Sequence, residues 1–256
     1  MPPVLASTRR GEGPPLVLVH GFTQTAASWR RVEPFLPPGR TLIAVDLPGH
    51  GGSADVSVAD LAEAAALVGA AGGPATYVGY SLGGRTCLTL ALQAPALVRA
   101  LVLIGATAGI EDAAARAERR ARDEVLAAEI AAGGDAGIPG FLARWLSGPL
   151  FAHLAAEQQD LPARSHAAGG LAASLRTCGT GTQQPSWERL GALAMPVLAC
   201  AGADDARFCA HAAHLGAAIG ENAETAVLAG AGHAACFEKP AAFGALLADF
   251  CARHGC

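Results

Sequence analysis

The chain is nearly devoid of lysine: of its 18 basic residues only Lys239 is lysine, and the others are arginine. It has no basic tail and no basic stripe interleaved with aromatics, and aromatic residues amount to 5%. With a formal charge of −4, it lacks the electrostatic footprint that a phosphate backbone selects, so nucleic acid is disfavoured as a partner and small molecules are favoured. The cysteines lack a pairing pattern. There are seven, an odd number, spread from Cys87 to Cys256 without a C-x-x-C or a Cys/His cluster. They read as reduced, packed thiols rather than as a disulfide framework or a metal site. No apolar run approaches the roughly 18 residues that cross a bilayer, and Met1-Pro2-Pro3-Val4 does not lead into the apolar core of a secretory signal. The expectation is a cytoplasmic protein without a membrane partner, monomeric or a small homo-oligomer, with neither metal nor organic cofactor.

What is present is core material, since 52% of the 256 residues are hydrophobic, enough for one large α/β domain or two small ones. Short apolar runs rich in β-branched residues stand at Leu16–Val19, Thr41–Val45, Ala75–Val78, Ala100–Ile104, Pro196–Cys200 and Thr225–Leu228. Each is bounded by turn residues and reads as a buried parallel strand. Alanine- and leucine-rich helical stretches lie between most of them, including Val58–Ala71, Leu82–Ala94 and Ala210–Ala218. This alternation predicts a mostly parallel sheet flanked by helices. One interval breaks it. From Gly109 to about Leu190 only helical patterns occur, punctuated by Gly133-Gly134, Ile138-Pro139-Gly140, Gly169-Gly170 and Gly179-Thr180-Gly181. A strandless interval of that length is too long for a simple crossover. It predicts a helical cap, 109–190, inserted into a core formed by 1–108 and 191–256, roofing the strand ends where ligands bind in such sheets.

The pattern Gly79-x-Ser81-x-Gly83 falls directly between a predicted strand and a predicted helix. A serine on so sharp a turn needs glycine on both sides, because a Cβ there would collide with the neighbouring strand or helix. A nucleophilic serine also needs a base and an orienting acid, in the chain order Ser, Asp or Glu, His. His233 follows the last predicted strand in Gly-Ala-Gly-His and so projects from a loop at the strand ends. Gly202-Ala203-Asp204-Asp205 follows the preceding strand. Either aspartate suits the role, and the third position after the glycine favours Asp205. An oxyanion hole needs two converging amides, expected from Leu82 and from Phe22 in His20-Gly21-Phe22, where Gly21 permits close approach. His20 is read as a structural hydrogen-bonding residue and Asp46–Ser53 as a rigid loop bracing the elbow. His211 and His214 share a helix face but lack a third ligand, so no metal site is expected there.

In their order and spacing, His20-Gly21-Phe22, Asp46–Ser53, Gly79–Gly84, Gly202–Asp205 and Gly232-His233 resemble the α/β-hydrolase superfamily over nearly the whole chain. More narrowly, Asp-Leu-Pro-Gly-His-Gly-Gly-Ser at 46–53, Val-Gly-Tyr-Ser-Leu-Gly-Gly-Arg at 78–85, Arg-Ala-Glu-Arg at 116–119 and Trp145 before Phe151 are similar to the 2-succinyl-6-hydroxy-2,4-cyclohexadiene-1-carboxylate synthases of menaquinone biosynthesis. That resemblance implies an α/β-hydrolase fold and a lyase in which a histidine-activated serine removes a proton and pyruvate is expelled. It also implies a small, anionic substrate bearing several carboxylates. Arg85, Arg119 and Arg164 would be its clamps, with Trp145 packing beside them and Tyr80 near the nucleophile. A leading hairpin, implied by the superfamily, would be reduced to the region around Val4–Thr8.

Two further readings share these residues. A carboxylesterase or related hydrolase would use Ser81 as a covalent nucleophile, and its cap would be apolar and indifferent to Arg85. A binding module would keep the fold and leave Ser81, Asp205 and His233 idle.

Overall fold

The computed structural model describes residues 3–165 and 167–256. Its centre is a seven-stranded sheet in the order β1-β3-β2-β4-β5-β6-β7, made of β1 (Ser7–Arg10), β2 (Pro15–Val19), β3 (Thr41–Val45), β4 (Ala75–Tyr80), β5 (Val98–Ile104), β6 (Val197–Gly202) and β7 (Ala223–Leu228). All neighbouring pairs are parallel except β1 with β3. The helices are α1 (Leu61–Gly72), α2 (Leu82–Gln93), α3 (Ala113–Leu146), α4 (Ala168–Cys178), α5 (Ala206–Ile219), α6 (Ala235–Glu238) and α7 (Pro240–His254).

The period of two along each strand divides the core into two layers. Val17, Val19, Tyr77, Leu101, Leu103, Val197 and Ala199 face α1, α2 and α5. Leu16, Leu18, Val78, Val102, Ile104 and Leu198 face the other way, onto Trp29 and the Phe243, Leu247 and Phe250 side of α7. Central β4 is buried along its full length, which is why it reads as an almost uninterrupted apolar run.

The amino-terminal edge differs from the expectation of a reduced hairpin around Val4–Thr8. A single strand, Ser7–Arg10, pairs antiparallel with β3, Ser7 opposite Val45 and Arg10 opposite Leu42. All four of its side chains are exposed. It joins by backbone hydrogen bonds alone and presents arginines at the sheet edge, a way of blunting unwanted pairing.

Between β5 and β6 the elements are helical, with one isolated bridge from Gln24 to Arg164. Asp112 caps α3 by accepting the Ala115 amide at 2.7 Å. The helix is broken at Gly134, where φ 59 and ψ −172 leave the helical region, as the Gly133-Gly134 punctuation suggested. Among the described residues α3 is the one helix long and apolar enough to cross a membrane by length and composition. Here its apolar side is covered: Ala127, Ile130, Ile138, Phe141 and Leu142 pack with Leu171, Ala172 and Leu175 of α4 in a third cluster. All seven cysteines are free, and all but Cys209 are buried.

Candidate active site

Strand β4 stops at Tyr80 and helix α2 starts at Leu82, leaving Ser81 at φ 51, ψ −109. A non-glycine residue at positive φ is strained and persists only when its surroundings enforce it. The Ser81 amide donates to Ile104 O at 2.8 Å, and the Ser81 carbonyl accepts the Arg85 amide at 3.0 Å. The flanking glycines leave no slack. A Cβ on Gly83 would stand 2.1 Å from Val19 O, and one on Gly79 would stand 2.4 Å from Gly83 O.

Three side chains from separate loops meet here. His233 Nε2 lies 3.2 Å from Ser81 Oγ, and its Nδ1 lies 3.0 Å from Asp205 Oδ2. The carboxylate accepts from Nδ1–H, which leaves Nε2 free to take the serine proton. The other Asp205 oxygen accepts the Phe208 amide at 3.1 Å and caps α5. Burial raises the Asp205 pKa, but the bonds from His233 and the Phe208 amide and the positive charge of Arg207 outweigh it, so the net shift is downward. Asp204 is turned elsewhere, its Oδ2 3.8 Å from His153 Nδ1 at an exposed position. Of the two aspartates, Asp205 is the one whose carboxylate lies on His233.

The His233 loop is held from beneath by a residue that the motifs did not single out. Glu238, buried, accepts the Gly232 amide at 2.6 Å and the Ala234 amide at 2.9 Å. Around the imidazole stand Phe208 at 4.4 Å, Tyr80 at 5.4 Å and Phe151 at 6.2 Å between ring centroids.

The loop after β2 supplies the facing wall. His20 Nδ1 donates to Gly21 O at 2.8 Å, and Nε2 accepts the Leu47 amide at 3.0 Å. Full burial lowers its pKa to about 4, so the ring is neutral and structural. Gly21 is packed so closely under Tyr80 that a Cβ would lie 2.7 Å from its ring. Among the described residues neither the Phe22 nor the Leu82 amide donates a hydrogen bond, and both residues line the cavity that contains Ser81. The Asp46–Ser53 loop braces this wall: Asp46 Oδ1 accepts the Ala26 amide at 2.6 Å and Oδ2 the Gly52 amide at 2.8 Å.

Ser81 opens onto two chambers. The larger, about 110 Å³, runs towards Arg85, Arg119 and Arg207. The smaller, about 30 Å³, runs towards Tyr80, Gln158 and Arg164. Phe22, Trp145 and Leu150 wall both, so Trp145 stands between the chambers, and its buried Nε1 has no hydrogen-bond partner among the described residues.

The arginines differ in how they are held. Arg85 is buried; its Nη1 donates to Gln183 Oε1 at 3.0 Å and its Nη2 to Cys178 O at 2.9 Å. Two of its donors are therefore committed to neutral oxygens, and no carboxylate pairs with it among the described residues. Burial pulls its pKa down to about 10, which leaves it charged at neutral pH. Arg164 is likewise buried, with Nε on Gln159 O at 2.8 Å and Nη1 on Thr23 Oγ1 at 2.7 Å, and burial lowers its pKa too. Arg119 pairs with Asp123 at 2.9 Å. Arg116 and Arg122 serve the helix surface, on Ile110 O at 2.7 Å and Glu118 at 3.2 Å respectively. His211 and His214 stack on Trp187, His214 at 3.9 Å between ring centroids.

A model of the α/β-hydrolase fold matches residues 14–240. The chain belongs to the α/β-hydrolase fold family. Among curated members, the 2-succinyl-6-hydroxy-2,4-cyclohexadiene-1-carboxylate synthase of Klebsiella pneumoniae is 36% identical over 248 residues, 93% of this chain and 94% of that protein. The enzyme of the same name from Salmonella newport is 35% identical over 239 residues, covering 89% and 90%. Among solved α/β-hydrolase-fold structures, MenH from S. aureus superposes with a TM-score of 0.86 at 25% identity, over 98% of this chain and 99% of that one.

Within this α/β-hydrolase site, sequence reasoning missed Arg207, Phe208 and Glu238. The first two were two and three residues beyond a chosen aspartate, and Glu238 was five beyond His233. An acid placed that close after a loop histidine was the available signal.

Proposed function

We propose that this enzyme is a carbon–oxygen lyase of menaquinone biosynthesis, eliminating pyruvate from a polycarboxylate cyclohexene precursor. The observation that carries the reading is Arg85: a buried guanidinium, one helical turn from Ser81, that no carboxylate among the described residues pairs with. A buried cation is costly unless paired, and a carboxylate of the substrate is the natural partner. A site for neutral esters gains nothing from that cost. The identity to two synthases over nearly their whole length points the same way.

In this reading His233, held in its tautomer by Asp205, takes the Ser81 proton, and Ser81 Oγ removes a proton from the substrate carbon next to a carbonyl. The electron pair moves onto the carbonyl oxygen, where the Phe22 and Leu82 amides receive it. Its return forms the ring double bond and breaks the carbon–oxygen bond to the leaving group, which departs as the enol of pyruvate with the proton supplied through His233. Arg85 and Arg119 hold one end of the polyanion and Arg164 the other, beside Trp145 and Tyr80. Residues 109–190 act as the cap and carry two of these three cations. The reaction needs no metal or organic cofactor, and the enzyme works in the cytoplasm as a monomer or small homo-oligomer.

The purified protein, given the precursor, should release one pyruvate per ring diene formed. Failure to release pyruvate beside rapid turnover of a short-chain nitrophenyl ester would replace this reading with a serine hydrolase working through an acyl-enzyme.

A further inference from the structure

Arg207 stands at the unfavourable end of its helix and makes no ion pair among the described residues. It lies in the first turn of α5, whose positive dipole end disfavours a cation. It is exposed, and its guanidinium carbon lies 5.7 Å from the centroid of the Phe208 ring. It shares the larger chamber with Arg85 and Arg119, and the charge of Arg119 already acts against that of Arg85. Two carboxylates stand near these three cations: Asp123 pairs through Oδ1 with Arg119 and its charge also acts on Arg85, and Asp205 is held by His233 and the Phe208 amide.

Outside the chamber lies a second cavity, a groove of about 560 Å³ also lined by Arg122, His211 and His214. Glu111 and Asp112 line it as well, and Asp112 is occupied in capping α3. Thr107, Arg119, Thr180 and Arg207 belong to both cavities and so form the neck between them. Of the two neck cations, Arg119 is paired with Asp123, whereas Arg207 makes no ion pair among the described residues, its charge acting on an Asp205 already held by His233.

We infer that Arg207 is a specificity-determining residue of this enzyme: with Arg119 it grips, at the neck, the terminal carboxylate of a flexible acidic arm of the substrate, selecting polycarboxylates with an extended arm. The inference rests on the lyase reading for the identity of the substrate but not for the anion site itself. A carboxylate at the neck would answer at once the like-charge crowding and the unfavourable helix position. Its exposure lets Arg207 follow the arm from groove to chamber, whereas Arg85 is fixed by Gln183 and Cys178.

The test uses Arg207→Gln and Arg207→Lys, with succinate as the probe of the arm. Succinate binding is read by calorimetry, alongside kcat and KM for pyruvate release and for nitrophenyl ester turnover. Arg207→Gln should weaken succinate binding and raise KM for the polycarboxylate about tenfold, with kcat within about twofold, and Arg207→Lys should recover most of both. KM for the nitrophenyl ester should change less than KM for the polycarboxylate, because a neutral ester offers Arg207 no carboxylate to hold. Equal succinate affinity and equal KM in Arg207→Gln would overturn the inference, as would a wild type that does not bind succinate. If the wild type binds succinate through Arg207 yet releases no pyruvate, the lyase reading falls and the neck site stands.

Discussion

Glu238 brackets His233: its two carboxylate oxygens accept the amides of the residues immediately before and after the histidine, at 2.6 and 2.9 Å. The loop carrying the imidazole is thereby fixed by an acid that never touches Ser81. The Glu238 carbonyl also accepts from Gln158 Nε2 at 3.0 Å, which ties this bracket to a residue lining the smaller chamber. Glu238 is a positioning residue. Replacing it with alanine strands two buried amides, a loss of about 2–4 kcal/mol of stability. It should lower kcat about ten- to a hundredfold, since small misplacements of a general base are that costly, while KM stays within about threefold. Glu238→Gln, which keeps one oxygen acceptor, should fall between. A kcat unchanged in the alanine variant would show that the loop holds itself.

The elbow glycines make a sharper prediction about folding. A Cβ on Gly83 meets two backbone carbonyls, Val19 O at 2.1 Å and His20 O at 2.6 Å, and backbone in the sheet centre cannot step aside as a side-chain tip can. Gly83→Ala should cost at least about 3 kcal/mol and leave little soluble, active protein. By contrast Gly133→Ala, in open space, should be neutral or slightly stabilising. Chemical denaturation of the pair decides the matter, and equal midpoints would contradict the close packing described here.

Much of this arrangement is legible in the residues. The central strands β2 and β4 are continuous apolar runs because both sheet faces are covered there, whereas edge strand β7 carries Glu224 and Thr225 and exposes Val227, and the elbow is a glycine pattern because of the two collisions just described. β1 was not legible as it stands, because Ser-Thr-Arg-Arg carries no apolar period and joins the sheet only through its backbone. The roles of Glu238 and Arg207 were hidden for a related reason. An acid under a loop or a cation at a neck acquires its meaning from segments distant in sequence, and no local spacing encodes it. Arg85 was legible as a cation beside the nucleophile, but not the fact that Gln183 and Cys178 already hold two of its donors.

Stability should depend on pH through the neutral histidines behind the Phe22 wall. Burial holds His20 at a pKa of about 4 and, with the charge of His20 adding to burial, His50 at about 3, both below the ordinary 6.5. Between the ordinary and folded values the unfolded chain binds a proton that the folded chain refuses, so stability rises with pH across that window. It should be fully present above about 6.5 and be lost as pH falls towards 4, with His20 alone contributing on the order of 3 kcal/mol. Melting temperatures measured from pH 7.5 to 4.5 should fall, most steeply below 6. A flat profile would mean that these rings are already charged or not buried.

The central claim is that Ser81 serves an elimination on a polyanion held by Arg85, and the most direct measurement compares two reactions in three proteins. Pyruvate release from the menaquinone-pathway precursor and hydrolysis of a nitrophenyl ester are followed in wild type, Ser81→Ala and Arg85→Gln. Elimination should dominate in the wild type and fall at least about a thousandfold in Ser81→Ala. In Arg85→Gln it should fall about a hundredfold, chiefly through KM, while the trace ester activity persists. Rapid ester cleavage that ignores Arg85, with no pyruvate released, would contradict the account.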